Sequence, residues 1–325
     1  MTFKRRITSL LSSKGKLEQA IHLMETGETV RGFALLSRMA AQGDMEASFR
    51  VGRAYLDGAG VPPSLEEGAR WILGAAEAGH VEATFVLATL YTVGLPEGFE
   101  IRAQTAGLDL SARPVSGERH PDFHQGRHWA QVAADAGSAD AQALLGYILT
   151  NGPEDLRDLP RARALYEQSA AAGCSQGHLG LALAILHSAE TEDARKIAAS
   201  HLKEATKGGL GTAFDILGRM SEAGAGVPQD MGAAARYYRQ AAERNIVGAQ
   251  ARYGLFLLEG VGVELHYGRA ETWLRRAALN GDAESAALLG DLYAKGGELP
   301  PNLMEAASWY RLAAEQKHGG AARGL

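Results

Sequence analysis

The 325-residue chain has a single cysteine, Cys174, which rules out a disulfide framework. None of its apolar runs approaches the roughly 18 residues needed to span a bilayer. Charged residues make up only 22% of the chain and hydrophobic ones 46%, a balance that excludes a disordered polymer. Glycine does not recur at every third position, so there is no collagen helix. The first 16 residues hold Lys4, Arg5, Arg6, Lys14 and Lys16 with no acid, yet neither a sustained apolar stretch nor a small-residue cleavage site follows. With no export signal, the cytoplasm is the default location. Catalytic signatures are missing as well. There is no Gly-x-Ser-x-Gly elbow and no His-Glu-x-x-His, and the Gly-x-Gly turns lack the Lys-Ser/Thr of a phosphate loop. Neither an active site nor a cofactor is expected. The net charge is 33 − 38 = −5, and without the basic leader the body carries −10, which argues against nucleic acid as a partner.

Small residues are what the chain has in abundance. There are 58 alanines and 40 glycines, 98 of 325 positions, against an average of about 7% for glycine alone. They fall in columns. The pairs Val51-Gly52, Leu145-Gly146, Leu217-Gly218, Tyr253-Gly254 and Leu289-Gly290, with Leu87-Ala88 and Leu181-Ala182 in the two remaining places, are spaced by 36 residues, except one step of 58 = 36 + 22. Gly43, Gly79, Gly137, Gly173, Gly209, Asn245 and Gly281 keep the same register, as does an aromatic column of Trp71, Trp129, Tyr237, Trp273 and Trp309, with Leu165 and His201 in its other places. An Ala-Ala pair four residues beyond the aromatic gives a fourth marker, as at Ala241-Ala242 and Ala313-Ala314. Each period reads as two antiparallel helices. Ala213, Leu217 and Met220 line the first, a stop at Gly224-Ala225-Gly226-Val227-Pro228 follows, and Ala234, Tyr237, Tyr238 and Ala241 line the second. Asn245 suits its column because a left-handed helix stop is open to glycine and tolerated by asparagine. No such pair can bury its own apolar face, so stacking supplies the core.

The turns Gly58-Ala59-Gly60-Val61, Gly224-Ala225-Gly226-Val227 and Gly260-Val261-Gly262-Val263 resemble those of Sel-1-like repeats, as do the Leu-Gly, Trp-Tyr and Ala-Ala-x-x-Gly elements around them, such as Trp309-Tyr310. The resemblance covers about seven units over residues 44–318. The architecture it implies is all-α: a right-handed α-α superhelical solenoid of stacked antiparallel helix pairs with a 36-residue repeat. The fourth unit, about 174–208, departs most, with Ser188 and Glu190 in the turn and His201 in the aromatic column. Disulfide-stabilised relatives carry paired cysteines in each unit, so the lone Cys174 agrees with a cytoplasmic location.

Outside the units, residues 1–16 form a basic leader or a capping helix, with contact to an anionic membrane surface or an acidic partner as the sharper alternative. Residues 17–43 form a degenerate first pair, with helices over Leu17 to Met24 and Val30 to Gln42. Residues 319–325 begin a further repeat, at an open natural end or a truncated one, and an uncapped layer would expose an apolar face to a partner or another copy. The 22 extra residues fall in the turn of the second unit, at about 95–122, as a partner contact, a lid or plain elongation.

Two groups of residues are candidates for sites. His120, His124 and His128 are spaced by four, beside Glu118 and Asp122, and two histidines four apart on a helix can share a metal. Pro121 reads as the helix start, which leaves His120 outside regular geometry, and position 128 belongs to a polar column, so solvated surface histidines are the plainer interpretation. The second group comes from columns that do not repeat their chemistry. After the Leu-Gly pair the column reads Arg53, Thr89, Tyr147, Leu183, Arg219, Leu255 and Asp291. One helical turn later it reads Asp57, Val93, Asn151, His187, Ala223, Glu259 and Lys295, while the column Ala54, Leu90, Ile148, Ala184, Met220, Phe256 and Leu292 is apolar throughout and therefore core. In related superhelical repeats this first-helix face is the concave groove. Arg53, Asp57, Thr89, Tyr147, Asn151, Leu183, His187, Arg219, Leu255 and Glu259 are thus the candidate partner-binding residues, for a peptide or a helix, unless the face is merely solvated. The resemblance implies a non-enzymatic scaffold or adaptor that assembles or regulates a bacterial signalling, cell-envelope or secretion complex. A structural subunit of a stable complex is the alternative, and a metal-binding protein built on the three histidines is a further one.

Overall fold

The computed structural model describes residues 3–96, 119–296 and 300–322, with side chains at 14–94, 121–296 and 300–317. The chain divides into two units, Met1–Ala172 and Gly173–Leu325. The first holds α1 (Phe3–Glu25), α2 (Thr29–Ala40), α3 (Met45–Asp57), α4 (Leu65–Glu77), α5 (Val81–Val93), β1 (Leu95–Pro96), β2 (Arg119–His120), α6 (Phe123–Asp135), α7 (Ala139–Asn151) and α8 (Leu159–Ala171). The second holds α9 (Ser175–His187), α10 (Glu192–Lys207), α11 (Gly211–Ala223), α12 (Met231–Ala242), α13 (Val247–Glu259), α14 (Tyr267–Leu279), α15 (Ala283–Lys295) and α16 (Leu303–Ala322). In each unit every helix packs on the next one in the chain, so the pairs stack as layers of an α-α solenoid.

Small side chains set the spacing within a pair. A Cβ added to Gly218 of α11 would lie 2.8 Å from the ring of Tyr238 on α12, and Gly146, Gly254 and Gly290 face Tyr166, Leu274 and Tyr310 in the same way, each 20 residues on. Where Ala88 replaces the glycine, the residue opposite in register is the equally buried Ala130. Between pairs the second turn glycine matters. Gly60, Gly226 and Gly262 lie at φ +80, +73 and +65, and a Cβ on any of them would overlap the backbone of Thr29, Arg195 or Met231, in each case 31 residues earlier and in the first turn of the preceding pair's second helix. That turn is therefore a seat for the neighbouring layer as well as a helix stop.

The helix ends follow local chemistry. Second helices are capped by side-chain acceptors, Ser64, Asp122, Asp158, Thr191, Asp230 and His266, each taking a backbone N–H three residues on. Three first helices start at Cys174, Leu210 and Ile246 without a side-chain cap, so packing holds their first turns. Every pair up to α13–α14 ends on a left-handed residue in the column that opens with Gly43, and Asn245, at φ 62, is the one non-glycine with positive φ among the described residues.

Most turns inside the pairs close on one repeated bond. The N–H of the residue before the second helix donates to a carbonyl of the first: Ser64 to Tyr55 at 2.9 Å, Asp158 to Leu149 at 3.0 Å, Asp230 to Ser221 at 2.9 Å and His266 to Leu257 at 2.9 Å, always nine residues apart. In the second pair the same bond joins Asp122 to Tyr91 at 2.8 Å, across nine residues plus 22. β1 and β2 pair antiparallel just inside it, Leu95 with His120 and Pro96 with Arg119. The extra residues 97–118 lie outside the described part of the chain; Pro96 and Arg119, on either side of them, are paired within an intact turn.

At four places the structure differs from the sequence reading or adds detail to it. The boundary expected between residues 16 and 17 falls inside α1, a single 23-residue helix. Residues 319–322, expected to open a new repeat, continue α16, because Lys317 stands where Gly281 and Asn245 stop the helices before it. Helix α6 starts at Phe123 behind the Asp122 cap, two residues after Pro121. In the fourth pair no left-handed glycine follows α9. Ser188 has φ −111, and α10 begins at Glu192, three residues ahead of the 36-residue register, which lengthens it to 16 residues. The Glu192 side chain then accepts the N–H of Gly226 at 2.6 Å, tying the early helix start to the next turn.

Joining Pro96 directly to Arg119 is expected to leave helicity unchanged. Stability should rise by about 1 kcal/mol, since each doubling of loop length costs about 0.6 kcal/mol, and non-cooperative melting of the deletion variant would contradict the intact-turn description. Asn245→Ala is expected to lose about 1 kcal/mol in urea titration, the cost of a left-handed residue with a full Cβ, while Asn245→Gly loses nothing.

Candidate protein-docking face

Along the first helices buried positions alternate with exposed or half-buried ones. In the first unit Ala54, Leu90 and Ile148 are buried, and their neighbours turn outward. Tyr147 is 47% exposed and Val93 is 43% exposed, on α7 and α5, which pack against each other directly. Asn151 donates from Nδ2 to the Tyr147 carbonyl at 3.1 Å, and Thr89 donates to the Phe85 carbonyl at 2.9 Å, so both polar side chains are engaged on their own helices. Arg53 and Asp57 pair with each other at 3.4 Å. The face therefore presents two apolar side chains beside locally neutralised polar ones.

The second unit carries Leu183 and His187 exposed on α9, Arg219 exposed on α11, and Leu255 half-buried with Glu259 exposed on α13. Arg219 is held by Asp215, a carboxylate buried beneath it. Their hydrogen bond raises the guanidinium above its usual range, against the opposing effect of burial. At the far end Asp291 and Lys295 pair at 3.5 Å. Val93 and Tyr147 are thus exposed on two helices that pack against each other, whereas each charged candidate among Arg53, Asp57 and Arg219 already has an ion-pair partner on its own helix.

Several polar clusters have no counterpart in the sequence reading. Glu222 on α11 accepts the Tyr238 hydroxyl at 2.6 Å and the Arg252 Nε at 3.1 Å, joining two pairs. Arg252 holds the Glu222 carboxyl below its ordinary range despite burial, with help from Tyr238, while burial and then Glu222 push the Tyr238 hydroxyl up. Arg275 on α14 reaches Glu305 at 3.0 Å and the Tyr293 hydroxyl at 3.0 Å, and stacks 4.9 Å over Trp309. In the first unit His80 takes the Ala83 N–H on Nδ1 at 3.1 Å, so its proton is on Nε2, which donates to Glu46 at 2.9 Å. Burial raises the Glu46 carboxyl, but the bonds from His80 and Arg50 outweigh it and leave it below the usual value. Both Glu222–Arg252 and Arg275–Glu305 span 30 residues, so opposite charges at that offset were the available signal. All these clusters join elements of the frame.

The histidine candidates do not converge. His124 is exposed, its Nε2 lies 3.4 Å from Asp155, and His128 is exposed with its ring set edge-on to Trp129. The side chain of His120 lies outside the described residues. Among the described residues no three metal-ligating side chains come together, and no helix is long and apolar enough to cross a membrane.

Comparison with known proteins gives the family. The Sel1 repeat profile matches residues 46–80, 117–138, 139–174, 216–246, 247–282 and 283–318. An uncharacterized protein of Neisseria meningitidis serogroup B is 26% identical over 295 residues, covering 86% of this chain and 60% of its own length. The Sel1-repeat-containing protein YjcO of Escherichia coli is 30% identical over 167 residues, 49% of this chain and 72% of its own. Among solved structures, c5321, a protective antigen of uropathogenic Escherichia coli with an SLR fold, superposes with a TM-score of 0.64 at 23% identity over 87% of this chain and 56% of its own. A Sel1 repeat protein of Oxalobacter formigenes gives a TM-score of 0.60 at 24% identity, over 95% of this chain and 87% of its own. The chain thus spans 60% of the Neisseria relative and 56% of c5321. Repeating turns, stacked pairs and six profile matches make the chain a member of the Sel1 repeat family.

Proposed function

We propose that the chain is a non-enzymatic scaffold that docks a protein partner on the first-helix face, with Val93 and Tyr147 as its anchors. The observation that carries this is the exposure of an apolar side chain on each of the packed helices α5 and α7, beside the fully buried Leu90 and Ile148. Aromatic anchors of this kind contribute most of the affinity at interfaces, and their neighbours serve mainly to exclude water. The neutralised ion pair Arg53–Asp57 favours a partner segment that is itself apolar or polar and uncharged at this point, such as one face of an amphipathic helix. Sel1 repeat proteins are generally protein-interaction scaffolds, which supports the docking role, and a part in assembling or regulating a bacterial signalling, envelope or secretion complex is the setting proposed for it.

A second reading, a subunit held in a stable complex through an exposed helix face, is favoured by α16. The column that is buried at Tyr238 and Leu274 is 41% exposed at Tyr310, and Leu303 and Met304 beside it are 72% and 84% exposed. Solution mass separates the two: a monodisperse monomer favours docking on the first-helix face, and association lost in Tyr310→Glu favours the subunit.

The docking face is tested with photo-crosslinking residues at positions 93 and 147 and at the exposed second-helix position 163. Adducts with one common protein at 93 and 147 but not at 163 are expected. Tyr147→Ala should weaken capture of that protein at least about tenfold, as for an interface hot spot, with no change in melting temperature. Equal adducts at all three positions, or unchanged capture, would overturn the assignment.

A further inference from the structure

The fourth pair is unusual in what holds its two helices together. His178 on α9 and His201 on α10 meet with their Nδ1 atoms 3.0 Å apart. Their ring centroids are 5.3 Å apart, so the two nitrogens lie between the rings and face each other head-on. One unit later the same two positions are Phe214 and Tyr237, whose rings sit 6.5 Å apart in ordinary apolar contact. An apolar contact is indifferent to pH. A bond between two imidazole nitrogens depends on how many protons the pair holds.

We propose that the His178–His201 pair is a proton-operated catch on the fourth helix pair, closed when the two rings carry no extra proton or one, and released when they carry two. With both rings neutral, one Nδ1 keeps its hydrogen and donates to the bare Nδ1 of the other. One proton taken from solvent preserves the bond, now charge-assisted, since a charged imidazolium still faces a neutral acceptor. A second proton removes the acceptor, places hydrogen against hydrogen and sets two positive charges in contact in a half-buried site.

The surroundings decide the direction. Burial, and then the charge of His178, holds His201 below its ordinary value of 6.5, with Glu204 pulling weakly the other way. Glu204, on α10, is the charge that acts on both rings, and it is itself paired with Lys207. Helix α9 contributes no charged side chain apart from His178 and the distant His187. On α11, which packs against α10, Asp215 is paired with Arg219 and Glu222 with Arg252. The unfolded chain therefore takes up a proton at this position near 6.5, and the folded chain only at lower pH. Between those points the unfolded state binds more protons, so the stability of the pair is full above 6.5 and falls as pH drops below it. The pair also lacks the left-handed glycine stop, and the family profile leaves residues 175–215 unmatched, both consistent with a layer built differently from its neighbours. The catch stands whether or not the first-helix face docks a partner.

Two measurements on the full chain test it. Long-range proton–nitrogen correlation spectra of histidine-labelled protein near pH 7.5 should show one of these two rings protonated on Nδ1, a signal that disappears in His178→Phe/His201→Tyr. Hydrogen exchange, corrected for intrinsic rates, should show amides of α9 and α10 opening faster on going from pH 7.5 to 5 relative to those of α13 and α14, by about tenfold for each unit by which the His201 proton is held off, and the double variant should remove this difference. Both rings protonated on Nε2, or pH-independent relative protection in the wild type, would overturn the proposal. The wild-type measurements decide the matter alone if the double variant does not fold.

Discussion

Everything in this protein depends on how closely two helices of a pair approach each other. A glycine in the first helix leaves room for a large side chain from the second, as Gly218 does for Tyr238 and Gly146 for Tyr166. That approach lets alanines such as Ala234, Ala241 and Ala249 be completely buried. The helices are mostly about 13 residues long, too short to be stable in isolation, so each exists because its neighbours cover it. The turn glycines Gly60, Gly226 and Gly262 extend the same constraint from pair to pair, since nothing larger than hydrogen fits against the start of the preceding helix.

On this frame polar groups are used to pin one layer to the next. Glu222 with Arg252 and Arg275 with Glu305 cross between pairs, and the Tyr238 and Tyr293 hydroxyls complete their hydrogen bonds. Half-buried charges of this kind are costly unless fully partnered, and here the carboxylates accept two or more donors. The first-helix face is different. Its charges are satisfied along their own helices, and its exposed apolar side chains rest on the buried column and are covered by nothing in the same unit. A surface organised in this way suits recognition of another protein better than chemistry.

Much of this was legible in the sequence because repetition converts tertiary contacts into periodic residues. The 36-residue period, the two helices in each unit, the left-handed stop at Asn245 and the outward columns through Tyr147 and Arg219 all belong to positions whose environment recurs. An insertion of 22 residues could be placed for the same reason, as an interruption of a known spacing. What was not legible are the features that occur once. The early start of α10, the run of α16 through Lys317 and the single helix α1 each arise where a column residue is absent, and its absence does not say which conformation takes over.

Residue order alone carries the family, the helix pairs and the apolar face of each first helix, because backbone stops and apolar period are local properties that each repeat shares. Which polar side chains meet is settled by packing: Glu222 with Arg252, His80 with Glu46, His178 with His201. Those meetings depend on the rotation and separation of two packed helices, to within the length of a hydrogen bond, so the 30-residue offset of Glu222–Arg252 and Arg275–Glu305 does not by itself say which charges touch, and His178 with His201, formed in one layer alone, leaves no column to reveal it.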